Sequence, residues 1–318
     1  MNPHGTGTPT ARDLHRRRRL RRRSRRAYIR SVYFLPSLFT LGNLICGFGA
    51  IYVAGLDAGS VGKDPLTSWF FDVRFLAAAY LIFGAMLFDA LDGRVARMTR
   101  HTTDFGGQLD SLADVVSFGA APAFLALQVV KFDTVGFQLP LMLSRLVWAM
   151  GALYLACTAI RLARFNVSNA HGEEHHMSFL GLPSPGAAAA VAGLVLIQQD
   201  LYHLLSNEAS GTTTARTLGA ALYSLSFFIP AALAVFGVLM VSGYRYPHLI
   251  NRFGRGRVSP AKLLVTFAVI LSLVVAHRYS VGIAAVVFGL LGPLSYSWAR
   301  FRHRPMDKAP VHRSRDTA

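Results

Sequence analysis

Eight apolar runs, each long enough to cross a bilayer, succeed one another along this chain of 318 residues. A helix needs ~20 apolar residues to span the hydrocarbon core, where every backbone N–H and C=O must be bonded within the protein. The runs cover roughly 33–56, 75–97, 107–130, 143–164, 183–203, 218–243, 260–277 and 280–299. The last two are joined by a few residues and read as one hairpin. With 53% hydrophobic and 15% charged residues, the composition excludes an ordinary soluble domain. The expected fold is all-α: a polytopic integral membrane protein of about eight transmembrane helices.

Lys and Arg set the orientation. The tail before the first run, the 94–100 turn, Arg161 with Arg164, the 245–262 loop and the C-terminal tail hold 27 of the 33 basic residues. The opposite side holds Lys63, Arg74, Lys131, Arg145, Arg216 and Arg278. This asymmetry puts both termini in the cytoplasm of a cell whose inner membrane carries the protein. The chain then divides into a basic disordered tail (1–30), a membrane domain (31–243), a cytosolic basic loop with a C-terminal transmembrane hairpin (244–299), and a second basic tail (300–318). The formal charge of +17 lies mostly in those tails. A basic block such as Arg16 to Arg26, directly before a span, suits anionic lipid headgroups better than nucleic acid. Cys46 and Cys157 fall inside spans and read as small buried residues, with no disulfide or zinc pattern.

Against this background the acidic residues stand out. Of sixteen, only Asp89, Asp92, Asp110 and Asp114 lie well inside the expected spans, and Asp200 falls near an outer end. A carboxylate in a bilayer-embedded helix costs roughly 2.5–3.5 kcal/mol on insertion scales. Asp89 and Asp92 are three apart and Asp110 and Asp114 four apart, so each pair shares a helix face. The short connection makes the two helices antiparallel neighbours and brings the pairs together just inside the cytosolic boundary. Four carboxylates so placed repel one another unless cations offset them. Two Mg²⁺ or Mn²⁺ ions supply +4 against −4, and oxygen ligands suit both. Such a two-metal site serves displacement at phosphorus. Asp104 reads instead as a cap of the third span, with Thr102 or Thr103 as rivals.

Gly93 follows Asp92 directly and leaves the helix surface open to a bulky ligand, as do Gly106 and Gly107 at the start of the next helix. Arg97, one turn beyond Gly93, can pair with a phosphate oxygen or serve as a positive-inside anchor, as Arg94 and Arg100 do.

Together, Asp89-x-x-Asp92-Gly93-x-x-Ala96-Arg97, eight residues, Gly106, three residues, Asp110, three residues and Asp114 match the signature of the CDP-alcohol phosphatidyltransferases without a departure. The resemblance implies a membrane enzyme with a six-helix catalytic core, often a homodimer, that joins CDP-diacylglycerol to a hydroxyl acceptor and releases CMP. It implies that Asp89, Asp92, Asp110 and Asp114 bind the metals and that Asp114 is the base toward the acceptor. Gly93, Ala96, Arg97 and Gly106 would line the pocket for CDP-diacylglycerol. Asn43 bonds either another helix or the nucleotide; the family pattern favours the nucleotide.

The stretches FTLGNLICGFGA (39–50), DSLADVVSFGAAPA (110–123), RLARFNV (161–167), FLGLPSPGAAA (179–189) and MVSGYRYP (240–247) resemble the phosphatidylserine synthase branch. Family members that use phosphorylated acceptors commonly carry a basic residue after the last aspartate. Here Val115 and Val116 follow Asp114, which favours L-serine over glycerol 3-phosphate or inositol phosphate, while choline stays a further alternative. Serine needs a partner for its carboxylate, which Arg161, Arg164 or Asn166 can supply; the two arginines are equally readable as positive-inside anchors. HGEEHH (171–176) reads as a solvated loop rather than a metal cluster. A cation-coupled transporter is the rival of another class, but its site would lie near the bilayer midplane.

Overall fold

The computed structural model describes residues 38–56, 69, 71–99, 104–133, 140–170, 181–209, 211–244 and 277–302. Side chains at 96–99, 104, 132–133, 168–170, 277–278, 281 and 295–302 are outside that description. Among the described residues the regular structure is helical throughout, in seven helices: α1 (Leu38–Ala54), α2 (Arg74–Thr99), α3 (104–133), α4 (Leu141–Ala170), α5 (Ser184–Ser206), α6 (Thr213–Val241) and α7 (His277–Arg302). Each coincides with an apolar run of the sequence to within about six residues at either end. The run at 260–277 lies outside the described residues apart from its last position, as do the arginine tail and HGEEHH.

Five of these helices are long and apolar enough to cross a membrane, and parts of α1 and α7 are shorter apolar segments. Leu41, Ile45, Phe48 and Tyr52 form an exposed stripe along α1, and Leu146, Trp148, Leu153 and Ile160 point outward from α4. Apolar surface on this scale is untenable in water and suits contact with acyl chains. The protein is a multi-pass, all-α membrane protein.

The helix ends follow local chemistry. Thr212 caps α6 by accepting from the Ala215 N–H at 3.0 Å. Proline occupies the first turn of α5, where its missing N–H costs nothing. Gly181, just before α5, has φ +87°, and a Cβ there would collide with the Met240 carbonyl oxygen. Its N–H bonds the Tyr244 carbonyl at 2.8 Å, and Leu182 N–H bonds Leu239 at 3.0 Å. These bonds pin the start of α5 to the end of α6.

Helix α5 is the hub. It packs on α2, α3, α6 and α7, and its AAAAVAGLV sequence buries Ala187, Ala188, Ala190, Val191 and Ala192 completely. Small residues let backbones approach, the main route to tight packing where lipid removes the hydrophobic driving force. Gly193 of α5 meets Gly282 of α7 backbone to backbone. Near the far end of α5, Tyr279 of α7 donates to Asp200.

Helix α3 is not uniform. It is α-helical over Asp104–Asp114, π-helical over Val115–Ala120, and α-helical again over Ala121–Asp133. The Ala121 N–H bonds Val116 O, five residues back. The sequence offers no sign of this wider turn.

Candidate active site

The C-terminal part of α2 and the N-terminal part of α3 bring the expected aspartates to one end of the bundle. Carboxylate oxygens of Asp89, Asp110 and Asp114 lie within 4.8 Å of one another. Asp114 is buried and the other two half-buried. Asp92 is buried beside them and accepts a hydrogen bond from Thr40 Oγ1 of α1. All four are near enough to interact through charge: Asp92 with Asp89 and Asp110, and Asp114 with Asp89, Asp110 and Arg161.

Helix α1 braces the site from behind. Asn43, fully buried, donates from Nδ2 to Asp114 Oδ1 at 3.0 Å. The carboxylate is acceptor-only when ionised, which assigns the nitrogen to that side. Asn43 Oδ1 is then buried without a hydrogen-bond partner among the described residues. Of the two partners the sequence left open for Asn43, the structure places a neighbouring helix against its Nδ2. Ser117, in the π turn, donates to the Asn43 backbone carbonyl at 2.9 Å.

Helix α4 supplies the opposite wall. Arg161 donates from Nη1 to Ser184 Oγ at the start of α5 (2.9 Å), and its Nε is buried without a hydrogen-bond partner among the described residues. Among the two arginines it is Arg161 whose charge acts on Asp114. Arg164 is exposed and donates to the Val241 carbonyl at the end of α6, at 3.4 Å. A cation at that C-terminus also complements the helix dipole. Asn166 Nδ2 donates to Ser111 Oγ at 2.9 Å, one turn from Asp114 on α3. Tested as three rivals for one role, they occupy three different surroundings.

Gly93 is exposed, and a Cβ there would meet nothing within 4 Å among the described residues; the same holds for Gly107. Gly106 is half-buried near the start of α3. Ala96 and Arg97 continue α2 beyond Gly93, with side chains outside the described residues.

Thr40, Ser111, Ser117, Tyr154 and Ser184 also support the site and do not stand out from the sequence. Thr40 and Asn43 are three apart on one face of α1, so a search for paired polar residues in apolar runs finds the first. Ser117 and Tyr154 act through backbone carbonyls, which leave no sequence signature.

A divalent metal fits these residues. Oxygen donors of like charge, buried or half-buried, lie at separations comparable to those across one coordination sphere, where Mg²⁺–O bonds are about 2.0–2.1 Å. Without positive charge the cluster would be self-repelling.

Among known proteins, a CDP-diacylglycerol–serine O-phosphatidyltransferase of Helicobacter pylori (strain J99) is 34% identical over 220 residues, 69% of this chain and 74% of its own. One of the same name from Methanocaldococcus jannaschii is 34% identical over 173 residues, 54% of this chain and 64% of its own. An archaetidylserine synthase of Methanothermobacter thermautotrophicus is 34% identical over 170 residues, 53% and 60% of the respective chains. The family model for CDP-alcohol phosphatidyltransferase matches residues 33–215, more than half of the chain. That match takes in α1 to α5 with all four carboxylates and the helices that brace them, and the chain belongs to the CDP-alcohol phosphatidyltransferase family.

Proposed function

We propose that the protein transfers the phosphatidyl group of CDP-diacylglycerol to the hydroxyl of L-serine, giving phosphatidylserine and CMP. The observation that carries this reading is the close group of Asp89, Asp110 and the buried Asp114, with the Arg161 guanidinium near enough to act on Asp114. Three relatives named as serine phosphatidyltransferases or archaetidylserine synthase support the acceptor.

Asp89, Asp92, Asp110 and Asp114 would hold two divalent ions, Mg²⁺ or Mn²⁺. When bound, such ions stabilise charge on the attacking and leaving oxygens of an in-line displacement. The remaining work falls to the chain. The open surface at Gly93, with Ala96, Arg97 and Gly106, receives the diphosphate of CDP-diacylglycerol. Asn43 Oδ1, without a hydrogen-bond partner among the described residues, is available to a donor on the nucleotide.

Asp114 takes the proton of the serine hydroxyl. Its Oδ1 is engaged by Asn43, so Oδ2 is the oxygen left to receive it. The serine oxygen then bonds to the β-phosphorus, the bond from that phosphorus to the bridging oxygen breaks, and CMP leaves with the electron pair. Arg161, whose buried Nε has no hydrogen-bond partner among the described residues, binds the serine carboxylate in this reading. Arg164 and Asn166 were alternatives for that role, and their contacts with Val241 and Ser111 favour structural duties.

The basic-residue asymmetry supports a cytoplasmic catalytic end in the cell's inner membrane, and the family resemblance supports a homodimer. The test is to supply purified protein with labelled serine and CDP-diacylglycerol. Label should enter the organic phase in step with CMP release; CMP release with no labelled lipid contradicts the reading.

A further inference from the structure

The π turn directly after Asp114 has no role in the chemistry above, yet it is fastened on two sides. On the α1 side, Ser117 Oγ donates to the Asn43 carbonyl at 2.9 Å. A Cβ at Gly47 would come within 2.6 Å of the Ser117 Cα, so the two backbones touch there. On the α4 side, the fully buried Tyr154 donates from its hydroxyl to the Phe118 carbonyl at 2.9 Å. Gly119 packs against Thr158 and Leu155 of α4.

The geometry explains why fasteners are needed. A π turn carries about one extra residue, which offsets everything after it by roughly 100° relative to a continuous α-helix. Asp110 and Asp114 can therefore face the site while Ser117, Phe118 and Gly119 are buried in the bundle. In an unbroken α-helix Phe118, four residues after Asp114, would share the aspartates' face. The π geometry is intrinsically rare, and here side-chain bonds from two neighbouring helices add to its own Ala121 N–H to Val116 O bond.

We propose that Ser117 and Tyr154 are positioning residues for the reaction: they hold the π turn in place and so fix where the Asp114 carboxylate points. The proposal rests on Asp114 being the proton acceptor. A displacement of about 1 Å at a reacting group can cost up to ~10²-fold in rate, so removing one fastener should cost about 10-fold.

Tyr154→Phe deletes one oxygen and keeps the ring in its buried site. In full-length protein in detergent, CMP release at saturating substrate should fall about 10-fold, with KM for CDP-diacylglycerol within about twofold of normal. Ser117→Ala should behave alike. In an Asp114→Asn background, Tyr154→Phe should leave residual CMP release unchanged, because no base remains to be misplaced. Mn²⁺ affinity, read by electron paramagnetic resonance without turnover, should weaken about fivefold in the single variants. The proposal is overturned by equal fractional losses in both backgrounds, by unchanged turnover in the folded variants, or by unchanged Mn²⁺ affinity. If Tyr154→Phe fails to fold, the same cycle with Ser117→Ala decides. Because the cycle is read on CMP release, it is separate from the acceptor: a wild-type protein that makes CMP without phosphatidylserine refutes serine transfer and leaves this test intact.

Discussion

Asp114→Asn separates chemistry from architecture at this site. The variant keeps the size of the side chain and an oxygen for Asn43 Nδ2, so the 3.0 Å bond survives. Its new N–H₂ faces a group of acceptors rather than an apolar wall. It also removes one charge from a group whose oxygens lie within 4.8 Å of one another. At that distance, an ionised pair repels by about 3.5 kcal/mol at an effective dielectric constant of 20. Stripped of metal, the variant should therefore melt no lower than wild type. Turnover should behave oppositely. General-base catalysis contributes ~10²–10⁴-fold, equivalent to about 2.7–5.5 kcal/mol of transition-state stabilisation, and an amide cannot take the proton. CDP-diacylglycerol should still bind, because Gly93, Arg97 and three carboxylates remain. Asp110→Asn should differ, weakening metal and nucleotide binding together. The assay pairs CMP release with calorimetric titration of both variants. Near-normal turnover in Asp114→Asn would send the proton elsewhere and refute the assignment.

Chelation should abolish CMP release and added Mg²⁺ or Mn²⁺ restore it; full activity in metal-free buffer would remove the metal from the account. Gly93→Val adds atoms where a Cβ meets nothing within 4 Å among the described residues, so the melting temperature should hold while KM for CDP-diacylglycerol rises about 10-fold; an unchanged KM would take Gly93 out of the pocket. Gly181→Ala forces a side chain onto φ +87° and into the Met240 carbonyl, which should cost about 2–4 kcal/mol of stability. A melting temperature equal to wild type would show that the junction of α5 and α6 yields easily.

The helices were legible because lipid imposes a length on apolar runs, and α2 to α6 each begin and end within about six residues of the polar breaks. The aspartates were legible because charge in such runs is costly: Asp89, Asp110 and Asp114 meet as their spacing requires. What the sequence withheld depends on which helix lies beside which. The family pattern favours a ligand for Asn43, and only the packing of α1 on α3 sets its Nδ2 against Asp114. Arg161 and Arg164 are three apart and chemically identical, yet one lies against the start of α5 and the other at the end of α6. The π turn at Val115–Ala120 is in contact with Gly47, Asn43 and Tyr154, none of them adjacent in sequence. The pairing of Asp200 with Tyr279 likewise joins residues with no local sign of each other.

The central claim is that this carboxylate site passes a phosphatidyl group to serine. The most direct measurement offers purified protein labelled CDP-diacylglycerol with serine, glycerol 3-phosphate, inositol phosphate or choline in parallel, and compares initial rates of CMP release. Release should be fastest with serine, with phosphatidylserine as the lipid product. Faster release with glycerol 3-phosphate than with serine would contradict the claim.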